Sequence, residues 1–163
     1  VVGPEGAASV QRWAGGARVL EGPGGGDTAL TLVTAWKADA LEFSPPTHYW
    51  AHPVDLPLVT GSTLDRLAAV SAARPAAVVR PAHGGKPGHP VVLPRDLLRT
   101  LASDPACVGG PFREFLVGAC RPEGPREFLL EEVEDVGVVW DFDEPGDFDA
   151  WRERTTGRDD QDG

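Results

Sequence analysis

Three short loops carry the side chains whose types and spacing could do chemistry. In "HYWAHPVDLPLV", residues 48–59, an apolar strand runs into Asp55, which lies between Pro53 and Pro57. Proline restricts the backbone and cannot donate to a strand ladder, so the strand must end there and the carboxylate is presented on a stiffened loop. In "GGKPGHP", residues 84–90, small and rigid residues put Lys86 and His89 on a tight turn. In "WDFDEPGDF", residues 140–148, Asp141, Asp143 and Glu144 stand between an expected strand and an expected helix. On an extended chain Asp141 and Asp143 share a face. Carboxylates arriving from separate strand ends could hold Mg²⁺ by oxygen, with water and a substrate phosphate completing its shell. Each loop also has a plainer reading: Asp55 as a turn residue, Lys86 as a solvated cation, and the imidazoles as satisfied or exposed groups.

The elements that must position these loops alternate. Val1 and Val2 read as a strand end before a Gly-Pro turn, residues 7–13 as a short helix, and "ARVLEG" as a strand. The apolar spacing predicts a helix over residues 28–41, with Asp27 or Thr28 as its cap. "THYWAHP" is the next strand, and a helix is expected over residues 61–73. "AAVVRP" is nearly all apolar, the mark of a strand covered on both faces. "VVLP", "FLLEEVE" and "GVVWDFD" are further strand candidates, and "RDLLRTLA", "PFREFLVGA" and "EPGDFDAWRER" are helices, the last with Pro145 in its first turn. Strand–helix alternation predicts an α/β domain, Rossmann-like, with a mostly parallel sheet between two helical layers. In such sheets ligands bind at the carboxyl ends of strands, where Asp55 falls.

With 163 residues, 41% of them hydrophobic, the chain is long enough for one domain with a sizeable core. No apolar run approaches the roughly 18 residues that span a bilayer, and no secretory leader heads the chain, so a cytoplasmic protein without a membrane partner is expected. The net charge of −10 is unevenly placed: residues 123–163 hold 15 acidic and 4 basic side chains. Phosphate backbones are bound by clustered Lys and Arg, so nucleic acid is not an expected partner. Cys107 and Cys120 have neither metal-ligand spacing nor a disulfide framework. The absence of Asn, Ile and Met, beside abundant Ala, Gly, Arg and Pro, points to a GC-rich genome.

The order "VVGPEG…DLPLV…GGKPGHPVV…GGPFREFL…WDFDEPGDF" resembles the MobA-like nucleotidyltransferases, above all the molybdenum-cofactor cytidylyltransferases. The matching stretches are Val1-Val2-Gly3, Asp55-Leu56-Pro57, Gly88-His89-Pro90, the Gly110-x-x-Arg113-x-x-Leu116 helix and the closing Asp141-x-Asp143-x-Pro145-x-Asp147 motif. The Asp-Leu-Pro and Gly-His-Pro pairing is the most specific part, and the resemblance spans residues 1–150. It implies a Rossmann-like fold, Mg²⁺, a nucleoside triphosphate (CTP or GTP) and a phosphorylated acceptor such as molybdopterin, with CMP the favoured group transferred. It further implies Asp55 as catalytic residue and metal ligand, Asp143 as second ligand, and Gly88, His89, Pro90 and Lys86 on the acceptor side. Thr31 would supply a hydroxyl where the family has serine.

One family feature has no counterpart in the sequence. The glycine-rich loop that holds base and triphosphate is not found, and "AGGAR" at residues 14–18 is too short to replace it. The expectation is therefore a domain over residues 1–154 without its first βα unit, followed by a disordered acidic tail at residues 155–163. Such a chain alone should turn over weakly or not at all. A homo-oligomer, or a partner, is expected to cover the sheet edge left open. The alternative is a ligand-binding module that no longer catalyses.

Overall fold

The structure is a computed structural model, and it describes residues 20, 28–39, 46–103, 112–120 and 126–156, without the side chains of 154–156. The strand and helix expected before residue 20, the Asp27 cap, Cys107, Gly110 and the tail beyond Thr156 lie outside the described residues. Among the described residues five strands and five α-helices follow in the order α1 (Thr28–Asp39), β1 (His48–Ala51), α2 (Gly61–Ala73), β2 (Val78–His83), β3 (Lys86–Pro87), β4 (Val91–Pro94), α3 (Arg95–Ser103), α4 (Phe112–Ala119), β5 (Phe128–Glu132) and α5 (Pro145–Thr156).

β2 organises the sheet. On one edge it pairs in parallel with β5, from Val78↔Phe128 to Ala82↔Glu132. On the other it pairs antiparallel with β4, at Val79↔Val92, and with β3, at Ala82↔Pro87. β4 in turn pairs antiparallel with β1, from His48↔Pro94 to Ala51↔Val91. β1, β2 and β5 thus run one way, with β4 reversed between β1 and β2.

The α/β class expected from the sequence holds, but a mostly parallel sheet is not what the described strands form, because β2 with β5 is their only parallel pair. The reason is connection length. A parallel crossover needs a dozen residues or more, and residues 84–90 can only fold the chain back beside the strand it has left. The longer connections, through α2 and through α3 and α4, restore the common direction.

Alternation along the strands sends side chains to two cores. Tyr49, Val78, Val91 and Leu93 pack with Ala29, Leu32 and Val33 of α1, Leu97, Leu98 and Leu101 of α3, and Leu116 of α4. Val79 and Val92 face the other way and meet Leu67 of α2 and Ala77. A sheet covered on both faces needs apolar residues at every strand position, which accounts for the unbroken "VVLP" of β4.

Two boundaries differ from the sequence reading. "GVVWDFD" is not a strand: Val136–Val138 forms a 3₁₀ turn capped by Asp135, whose carboxylate accepts from the Gly137 N–H at 2.9 Å. The Val138 carbonyl accepts from the His89 N–H at 2.7 Å, so this backbone is paired to a loop instead of a ladder. Gly137 lies so close to the Leu58 carbonyl that no larger residue fits without a shift. The last helix runs to Thr156, past the expected start of the tail.

Candidate active site

β1 stops at Ala51, ahead of Pro53, and a turn follows in which the Leu56 N–H reaches the Pro53 carbonyl at 3.5 Å. Asp55 lies in that turn, four residues beyond the strand it was expected to end, and β1 is an outer strand among those described, not a central one. Its carbonyl accepts from the Phe142 N–H at 2.8 Å, which ties the Asp-Leu-Pro loop to the Asp141–Asp143 segment. Its carboxylate oxygen Oδ1 is buried and meets no hydrogen-bond partner. Asp141 and Asp143 are exposed. Asp147, the last acid of the closing motif, accepts from the Glu144 N–H at 2.7 Å and caps α5, with Pro145 in the first helical position where its missing N–H costs nothing.

The Gly88-His89-Pro90 loop is a bulge. Pairing of β2 slips by two residues between its β4 partner (Val79↔Val92) and its β3 partner (Ala82↔Pro87), and the surplus residues arch out. Three hydrogen bonds hold the arch: Gly88 N–H to the Pro81 carbonyl at 2.8 Å, His89 N–H to the Val138 carbonyl at 2.7 Å, and Arg80 Nε to the Gly88 carbonyl at 2.5 Å. The His89–Pro90 peptide is cis. Gly88 and Pro90 are buried and shape the loop, whereas the His89 ring is half-buried with Nδ1 enclosed and unpartnered. Burial, together with the charges of Arg80 and His52, pushes the His89 imidazole below its ordinary pKa, against the opposing pull of the Ala51 carbonyl and the Asp55 carboxylate. At neutral pH the ring is uncharged.

His89 also lines a cavity of about 370 Å³ at the carboxyl end of β1, walled by Thr28, Thr31 and Leu32 from the first turns of α1 and by Trp50 and His52. Thr31 and His89 therefore share one cavity, and Asp55 acts electrostatically on the His89 ring in its wall. Lys86 sits at the exposed hairpin tip, opposite His83, and does not line the cavity.

Sequence reasoning gave no site role to Trp50 or Arg80, and read Thr28 only as a helix cap and His52 as a satisfied or exposed imidazole. Arg80 left a signal: a charge inside a strand buried on both faces must have a partner, and here the partner is the loop carbonyl of Gly88. Among the described residues no three His, Cys, Asp or Glu side chains cluster to cage a metal. The unpartnered oxygen of Asp55 nevertheless suits a hard cation held by one or two carboxylates, with phosphate and water supplying the remaining oxygens.

The fold is shared with solved structures. Rv0371c from Mycobacterium tuberculosis H37Rv superposes with a TM-score of 0.62 at 23% identity, over 91% of this chain and 71% of that one. Its manganese complex gives 0.60 at 24% identity, over 91% and 73%. A homolog of Rv0371c from Mycobacterium sp. strain JC1 gives 0.52 at 18%, over 82% and 60%. No curated protein sequence matches the chain. Residues 14–117 match the MobA-like NTP transferase domain, a span that takes in Thr31, Asp55 and the Gly88–Pro90 bulge. The chain belongs to the MobA-like NTP transferase domain family.

Proposed function

We propose that the chain is a nucleotidyltransferase domain that moves a nucleoside monophosphate, CMP before GMP, from a triphosphate to a phosphorylated acceptor such as molybdopterin, with Mg²⁺. The observation that carries this reading is the buried, unpartnered Asp55 oxygen in the loop that leaves β1, beside the α1–β1 cavity that Pro53, Thr31 and His89 line. In the reaction the acceptor phosphate attacks the α-phosphorus and pyrophosphate leaves. A divalent cation bound by Asp55 and Asp143 would offset the charge that gathers on the phosphate oxygens.

The chain's own residues do the rest. The amino-terminal turn of α1 offers its positive dipole end and the Thr28 and Thr31 hydroxyls to an anionic group. Leu32 and Trp50 supply apolar wall that excludes water. The bulge fixes the His89 backbone through its own N–H and that of Gly88, which would present the ring to the acceptor from a rigid loop. Lys86, at the exposed hairpin tip, would steer an anionic acceptor. Mg²⁺ is preferred for the all-oxygen ligand set; the manganese complex of a structural neighbour supports a divalent ion.

The proposed domain ends with α5, has an acidic tail behind it, works in the cytoplasm, and meets a second copy or a partner along an open sheet edge. Among the described residues no helix is long and apolar enough to cross a membrane. The test is transfer of label from α-labelled CTP or GTP to a phosphorylated pterin acceptor with Mg²⁺. Asp55→Asn should lower turnover by at least about 100-fold, since it removes a transition-state charge partner. Triphosphate binding without release of pyrophosphate would favour the ligand-binding module instead.

A further inference from the structure

A second cavity, of about 150 Å³, lies at the other end of β1 and is lined by Trp36, Arg95, Asp96 and Arg99. Its place follows from the antiparallel register. His48 opens β1 opposite Pro94, the last residue of β4, and Arg95 begins α3 there, its N–H bonded to the Thr47 carbonyl at 2.9 Å. The larger cavity lies beyond Ala51, at the opposite end of the same strand.

The lining is built for an anion. Trp36 Nε1 and Arg95 Nε are both buried N–H donors without an acceptor. Tyr49, only 8% exposed, turns its hydroxyl toward Arg95, whose guanidinium acts on it by charge and by hydrogen bonding. Buried donors left unmade are costly, so two in one small lining require an explanation. Asp96, the one acid in the lining, is engaged from outside by Arg126, at 3.1 and 2.7 Å in a two-point pair. Asp39 acts on Tyr49 and has interactions of its own. Among the described residues neither Arg95 nor Arg99 forms an ion pair. Two guanidinium groups and several N–H and O–H donors match a dianion with three or more oxygens better than a carboxylate, which offers two oxygens and one charge.

We propose that the cavity between Trp36, Arg95 and Arg99 binds a phosphate group, either as inorganic phosphate or as a small phosphate monoester. This site is separate from the cavity of the proposed reaction and does not depend on that reading.

Each cavity has its own tryptophan, Trp36 here and Trp50 in the larger one. Indole N–H resonances of the ¹⁵N-labelled chain, assigned with Trp36→Phe and Trp50→Phe, report the two sites separately. Inorganic phosphate and glycerol phosphate are titrated against acetate and chloride at matched ionic strength. The expected result is a saturable shift of the Trp36 signal with phosphate, weakened tenfold or more by Arg99→Gln, an exposed position where the fold should persist. Binding of both phosphates supports a site for the phosphate group at large, and binding of inorganic phosphate alone supports a site for the free ion. Movement of the Trp50 signal only, an equal response to acetate, no response of Trp36, or full retention in both Arg99→Gln and Arg95→Gln overturns the proposal.

Discussion

Replacing Gly88 by alanine would put a methyl group onto the Val138 carbonyl and within 2.8 Å of the Val138 side chain, closer than real side chains approach. The bulge and the 3₁₀ turn would have to separate. The bonds between them and around them are the His89 N–H to Val138 at 2.7 Å, the Gly88 N–H to Pro81 at 2.8 Å and Arg80 Nε to Gly88 at 2.5 Å. Overpacking a tight site costs about 1–3 kcal/mol, and each hydrogen bond weakened adds up to about 1 kcal/mol. We expect a net loss of about 2–4 kcal/mol, or a fall in Tm of roughly 4–16 °C for a domain of this size. Thermal unfolding followed by circular dichroism measures it, and two other glycines serve as controls. Gly84 has open space around it but a φ of 57°, so Gly84→Ala should cost only about 1 kcal/mol through backbone strain. Gly61 opens α2 with nothing within 4 Å and no positive φ, so Gly61→Ala should be neutral or slightly stabilising. If Gly88→Ala melted within about 2 °C of the parent, or cost less than Gly84→Ala, the contact between bulge and turn would not be holding His89, and the reasoning would fail.

Asp135 gathers the Thr60 N–H at 2.9 Å, the Thr60 and Thr63 hydroxyls at 2.8 and 2.7 Å, and the Gly137 N–H, so Asp135→Ala should cost about 2–3 kcal/mol in chemical unfolding, discounted for its partial exposure. Burial raises the Asp135 pKa, but these bonds outweigh it and hold the carboxyl below its ordinary value; the stability it contributes is therefore complete above the unfolded pKa of about 3.9 and lost as pH falls through the lower folded value, a slope that Asp135→Asn should flatten. Leu98→Ala, at a fully buried position between α1, α3 and the sheet, should cost about 2–5 kcal/mol, read from the urea midpoint. Removing residues 157–163 should leave Tm unchanged in a scanning calorimeter, since this charged stretch has no apolar anchor. Manganese should raise the Tm of the parent chain and have at least tenfold weaker effect on Asp55→Asn; an equal rise in both would place the ion elsewhere.

What the sequence by itself determined is local. α2 falls at Gly61–Ala73, as its apolar spacing requires, and Pro145 opens the last helix. The unbroken apolar strands made a sheet covered on both faces, hence three layers, legible before any coordinates. The proline-flanked Asp55 and the glycine-rich hairpin also marked themselves, because Pro and Gly act on the backbone of their own residues.

Other features were decided only by contacts between distant residues. "GVVWDFD" has the composition of a strand, but Gly137 presses on Leu58 and the Val138 carbonyl takes the His89 N–H, and neither contact is visible in a window of neighbours. Asp135 reaches Thr60, 75 residues earlier, and so joins the start of α2 to the turn that supports His89. The direction of β4 came from the length of the hairpin before it, which periodicity does not encode. Thr31 and His89 face one cavity, and Trp36 and Arg95 another: α1 contributes to both, and pairing β1 to β4 puts the His89 bulge at one end of β1 and the start of α3 at the other. Side-chain chemistry is written in the sequence, but which groups stand within reach of one another is set by strand register and layer packing, and those exist only once the whole chain has folded.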